Sequence, residues 1–132
     1  MREILFRGKR TDCEAWVEGD LLHYESGEMA ICKGFSNYGY EATEIIGRYK
    51  VIPETVGQYT GLTDKNGKKI FDGDIVRAFT RFSEIYVSPV TYHDGTFWFK
   101  NWSWTKFLFK FENIEIIGNI HDNSEILKSL NL

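Results

Sequence analysis

The chain has 132 residues, 42% hydrophobic and 16% aromatic, and its 16 Lys and Arg against 19 Asp and Glu give a formal net charge of −3. That length suits one domain or two small subdomains with a real core, because a chain of this size buries about two-thirds of the surface it exposes when unfolded. The charge is even, 7 basic against 9 acidic residues over 1–50 and 9 against 10 over 51–132, which excludes a basic arm of the kind that neutralises duplex phosphates. Apolar runs fall far short of the roughly 20 residues of a membrane helix. The opening residues place Arg2, Glu3 and Arg7 around only three apolar side chains, so no secretory leader is expected and the expected location is cytoplasmic. Cys13 and Cys32 form no CxxC pair, and in that compartment two reduced thiols are the expectation.

Taken in order, the chain reads as short strands punctuated by Gly, Asn and Asp turns. Residues 4–7 read as a first strand, and 16–24 with 29–33 as a hairpin across 25–28. The stretch 34–40, with Gly, Ser and Asn among aromatics, reads as a loop, and 45–52 as a returning strand. Pro53, which favours an extended chain before it and lacks an amide for pairing, marks the expected boundary between subdomains 1–53 and 54–132. A strand at 58–62 then meets the turn Asp64-Lys65-Asn66-Gly67, where Asn-Gly suits a type I′ connection. Strands follow at 69–71, 74–79 and 85–92, with Asp94-Gly95 as a second primed turn before 96–100, then 107–111 and 114–120. Asn123 or Ser124 caps a last helix, whose Ile126, Leu127 and Leu130 form an apolar stripe. The expected fold is all-β: a small N-terminal barrel or sandwich subdomain, then an SH3-like barrel with a short C-terminal helix.

The run 51–76, from Val51-Ile52-Pro53-Glu54-Thr55 through Gly57, Gly61 and Asn66-Gly67 to Phe71-Asp72-Gly73-Asp74-Ile75-Val76, resembles the signature of the YopX family of phage and prophage proteins. Residues 2–8 are similar to that family's opening strand and 117–123 to its closing strand and turn, so the resemblance spans nearly the whole chain. Residues 90–97 match more loosely, and Ser88-Pro89 stands where a Gly-containing start to that strand is expected. The resemblance implies an all-β fold with an SH3-like second half and a phage-encoded origin. It implies no activity.

Reactive motifs are scarce. Gly61 to Lys69 fails as a phosphate loop, because its glycines are misspaced, Lys69 stands where Ser or Thr should be, and a strand follows where a helix is needed. Asp64, Asp72 and Asp74 have hard-cation chemistry, yet Lys65, Lys68 and Lys69 lie beside them and turn formation explains them more simply. His23, His93 and His121 have no zinc spacing, and there is no GxSxG. No cofactor, no metal and no catalytic residue are therefore expected.

The segment 96–111 stands out, with eight aromatics, three Lys and no acid. Strand alternation assigns Phe97, Phe99, Phe107, Phe109 and Phe111 to the core. It leaves Trp98, Lys100, Trp102, Trp104 and Lys106 on the opposite face or in a connecting loop, as candidates for contact. Three uses suit them: packing against the N-terminal subdomain, contact with a protein partner or a second copy, or stacking of single-stranded nucleic acid. The functional expectation is a noncatalytic phage or prophage accessory protein acting through protein contact, including self-association. A single-stranded nucleic-acid-binding module is the alternative.

Overall fold

The alternating runs become antiparallel strands, and contacts between them divide the chain into two units, 1–59 and 60–132. The structure, a computed structural model, describes residues 3–38 and 42–130, with side chains outside 34–46 and 109. The fold is mostly β, with short helices near the C-terminus.

Unit 1 contains β1 (Phe6–Lys9), β2 (Trp16–His23), β3 (Met29–Tyr38), β4 (Ala42–Val51) and the start of β5 (Gly57–Thr63), in the order β4-β3-β2-β1-β5. Period-two alternation turns Val17 and Ile31 inward, where they meet Val51 and the flanking Phe6, Leu21, Met29, Tyr49 and Val56. Gly19 in β2 is required by close approach, since a Cβ there would lie 2.2 Å from the Cys32 carbonyl oxygen. Between β4 and β5 a single 3-10 turn, Pro53–Thr55, is fastened by Thr55, whose Oγ1 accepts from Lys9 N (2.9 Å) and donates to the Ile52 carbonyl (2.6 Å). One expectation is corrected here. Residues 34–38 are strand, not loop, because β4 supplies ladder partners from Phe35↔Ile45 to Tyr38↔Ala42, and long-range pairing overrides weak strand propensity. The rest of that expected loop, 39–40, lies outside the described residues.

In unit 2 the end of β5 meets β6 (Lys69–Phe71), with Thr60 Oγ1 donating to the Ile70 carbonyl (2.8 Å). Then come β7 (Asp74–Thr80), β8 (Ile85–His93), β9 (Thr96–Phe99), β10 (Trp102–Ser103), α1 (Trp104–Lys110), β11 (Phe111–Asn119) and α2 (Ser124–Ser129). Five of these form a sheet in the order β10-β9-β8-β7-β11. Its core is Ile70, Val76, Ala78, Val90, Phe97, Phe99, Trp104, Phe107 and Phe111. Asp94 (φ +49°) and Gly95 (φ +79°) form the expected primed turn. α2 lies where the last helix is expected, with Ile126 and Leu127 half-buried and Leu130 exposed.

Two local expectations fail for identifiable reasons. Residues 107–110 are helix: Trp104, Phe107 and Phe111 recur at helical spacing and share the core, and the alternation of Phe107 and Phe111 mimics a strand. At 64–67 only Gly67 has positive φ (+82°), so the turn is not type I′. Asp64 instead accepts from Asn66 N and Lys68 N on Oδ1 (2.9 Å each), which holds Asn66 out of the left-handed region while Gly67 N closes onto the Asp64 carbonyl (3.0 Å).

Candidate interaction surface

Two carboxylates of the glycine-rich run, those of Asp64 and Asp74, accept backbone N–H groups. Asp64 also accepts from Ile116 N on Oδ2 (3.1 Å), and Asp74 accepts from Phe71 N (2.7 Å). Burial raises the Asp64 carboxyl, but its three backbone N–H donors outweigh burial and hold it below the ordinary carboxylate range. Glu115 is likewise held low by the hydrogen bond from Lys65 (2.7 Å), with Arg77 (3.2 Å) adding to it. Among the described residues, no three His, Cys, Asp or Glu side chains converge as metal ligands.

The five side chains singled out from the sequence go to four different places. Trp98 lies half-buried on β9, stacked on His93 (centroids 5.0 Å apart, planes 9°), and its Nε1–H donates to the His93 carbonyl (3.0 Å). Trp104, 8% exposed, is core: it stacks on Phe107 at 4.6 Å, and its indole N–H has no partner among the described residues. Lys106 is exposed on α1. Lys100 and Trp102 join two residues that the sequence did not single out. The Trp102 ring meets Tyr86 and Phe111 edge-on (5.1 Å each) and Phe99 in a stack (6.4 Å), Lys110 Nζ lies 4.7 Å over it, and Lys100 Nζ lies 5.5 Å over Tyr86. Such cation–π contacts contribute roughly 0.5–1 kcal/mol at exposed sites, so they order the lysines without consuming their charge.

The sequence reading also missed the hairpin tip between β7 and β8. Thr80 Oγ1 accepts from Phe82 N (3.3 Å) and Glu84 N (3.1 Å), Ser83 N donates to the Thr80 carbonyl (3.0 Å), and Ser83 takes φ +63°. That pinned turn holds Phe82 at 86% exposure, with Ile85 59% exposed at the start of β8. A hollow of about 320 Å³ beside it is lined by Thr80, Arg81, Phe82, Glu84 and Lys110. Beside the middle of β8 a second hollow of about 380 Å³ is lined by Ser88, Pro89, Thr91, Lys100 and Asn101. Glu84 accepts from the Tyr86 hydroxyl (3.2 Å), and that hydrogen bond raises the phenol above its ordinary range. The signal that could have found the tip was one Phe inside a polar connection between two alternating runs.

Unit 2 is thus an all-β scaffold whose distinctive surface is made of aromatics and cations. The YopX protein family matches residues 5–128, and the chain belongs to that family. A crystal structure of protein EF1440 from Enterococcus faecalis is similar, with 30% sequence identity and a TM-score of 0.68 over 96% of this chain and 99% of that one. No curated protein matches the chain.

Proposed function

We propose that this YopX protein is a noncatalytic accessory protein of a phage or prophage, which works in the host cytoplasm by protein–protein contact through unit 2. One observation carries the reading: Phe82, 86% exposed, stands on a turn that Thr80 has already ordered. A solvated phenyl ring forgoes about 1.5–3 kcal/mol of burial. Aromatic anchors beside Arg are the side chains that dominate protein interfaces, and preorganisation lowers the entropic cost of docking them. Arg81 precedes this ring in the chain, the exposed Ile85 follows three residues on, and the exposed Leu108 lies on α1.

Less supports the single-stranded nucleic-acid alternative. Base stacking needs open ring faces, whereas Trp104 is core and the half-buried Trp102 ring has Lys110 over it and Phe99 stacked beside it. The test is a photo-crosslinking amino acid at position 82, with one at position 25 in unit 1 as control, in cells carrying the phage. Protease-sensitive adducts at 82 and none at 25 are expected. Nuclease-sensitive adducts would favour the alternative, and no adduct at 82 would remove the proposal's support.

A further inference from the structure

The registers of β8 leave one of its edges half empty. β7 pairs with residues 85–89, from Phe79↔Ile85 to Ile75↔Pro89, while β9 pairs with 90–93, from Val90↔Phe99 to His93↔Thr96. In an antiparallel ladder, residues whose backbone groups face one neighbour alternate with those facing the other. Thr80 N donates to the Glu84 carbonyl (2.9 Å) and Gly73 N to the Val90 carbonyl (2.8 Å), so the even-numbered residues of β8 turn toward β7. The odd-numbered ones turn the other way, where Thr91 and His93 meet β9. β9 ends at Phe99, because Lys100 takes φ +52° and the chain folds back into β10 on β9's far side. Ile85 and Val87 therefore face an edge on which the described residues place no strand. Pro89 lies on the same edge, where its missing N–H costs nothing, and Ser88 Oγ donates to its carbonyl (3.0 Å).

We propose that this edge of β8 receives an extended acidic segment of a partner protein as an added strand, which rests on the protein-contact reading above. Residues 85–89 offer about 16 Å at roughly 3.3 Å per residue, room for four or five residues of a partner. The two hollows stand at the ends of this stretch, one lined by Glu84 and the other by Ser88 and Pro89. Arg81 and Lys110 line the first and Lys100 the second, and among the described residues Glu84 is the one acid lining either. Among the described residues no carboxylate pairs with Arg81, Lys100 or Lys110. Backbone pairing supplies affinity in strand addition, and the side chains beside it supply specificity. Here those are Ile85 and Val87 on one face, Tyr86 on the other, and a cation at each end. Edge-to-edge pairing with a second copy would bring these cations near their own counterparts, and like charges across a ladder are destabilising.

Backbone amide shifts of the isotope-labelled full chain, followed while adding the blocked peptide Asp-Val-Thr-Val-Asp or Lys-Val-Thr-Val-Lys, test this. The acidic peptide is expected to shift the Ile85 and Val87 amides saturably and slow their exchange with solvent, less so at high salt. The lysine peptide should bind at least tenfold more weakly, and the Arg81→Glu/Lys100→Glu protein should reverse the preference. Amides of Ile85 and Val87 that do not respond, equal binding of both peptides, or light scattering showing a dimer through this edge would each overturn the proposal. If the edge stays silent while position 82 still crosslinks to protein, strand addition alone falls. If position 82 gives no adduct, the protein-contact reading fails independently of the peptide result.

Discussion

Asp64→Ala probes the most connected polar side chain of the fold. The residue is 6% exposed, and its carboxylate ties the 64–67 turn to β11 through Asn66 N, Lys68 N and Ile116 N. A charged hydrogen bond contributes about 1.5–3 kcal/mol, and a donor stranded away from water costs about 1–3 kcal/mol. Water can reach the two amides of the exposed turn and recover much of their share, while Ile116 N, inside β11, recovers less. The expected loss is about 3 kcal/mol, or a melting midpoint lower by roughly 10 °C for a domain of this size. Asp64→Asn, which keeps an acceptor and loses the charge, should cost about half as much. The folded carboxyl lies below its ordinary value, so its stabilisation is complete above the unfolded pKa of about 3.9 and is lost as pH falls through the folded pKa. Urea unfolding across that acid range should therefore show a shallower pH dependence for Asp64→Asn than for wild type. An Asp64→Ala protein with an unchanged midpoint, or an Asp64→Asn protein with an unchanged acid slope, would refute the reasoning.

Three further outcomes follow from the packing. Gly19→Ala forces a Cβ into the Cys32 carbonyl at 2.2 Å, so thermal unfolding should show a loss above about 2 kcal/mol or failure to fold. Trp104→Ala removes a core ring and should cost about 3–5 kcal/mol, whereas Lys106→Ala, two residues on and exposed, should stay within about 0.5 kcal/mol. Denaturant titration of the pair separates the helical register of 104–110 from a strand register, in which Trp104 would be as dispensable as Lys106. Cys13 is exposed and Cys32 only 1% exposed, so a thiol reagent should label one sulfur in the native protein and both after denaturation.

Much of the architecture was legible because strand alternation and turn chemistry are local signals. Phe97 and Phe99 fell on the core face as their period-two spacing required, and Asp94-Gly95 made the turn its sequence favours. Where local signals were ambiguous, tertiary partners decided. Phe107 and Phe111 satisfy both a strand and a helix, and the discriminating residue was Trp104, which only the helix brings onto the same core face. Asn66-Gly67 spells a primed turn in isolation, but the Asp64 side chain bonds the loop's amides and selects another. The proposed interaction surface is a cluster of aromatics and cations that local patterns along the chain only partly outline. Lys100 and Trp102 pack with Tyr86 and Lys110, and Arg81 and Phe82 line a hollow with Lys110; these partners come from β8, the β7–β8 tip and the end of α1, which only the fold brings together. No spacing along the chain encodes that convergence.

Phe82 decides whether unit 2 is a binding element. Its exposed ring contributes little to the folded state, so Phe82→Ala should keep the wild-type melting midpoint while binding the partner captured through position 82 at least tenfold more weakly, as expected for an interface anchor. Equal affinity of the two proteins for that partner, at equal stability, would contradict the account.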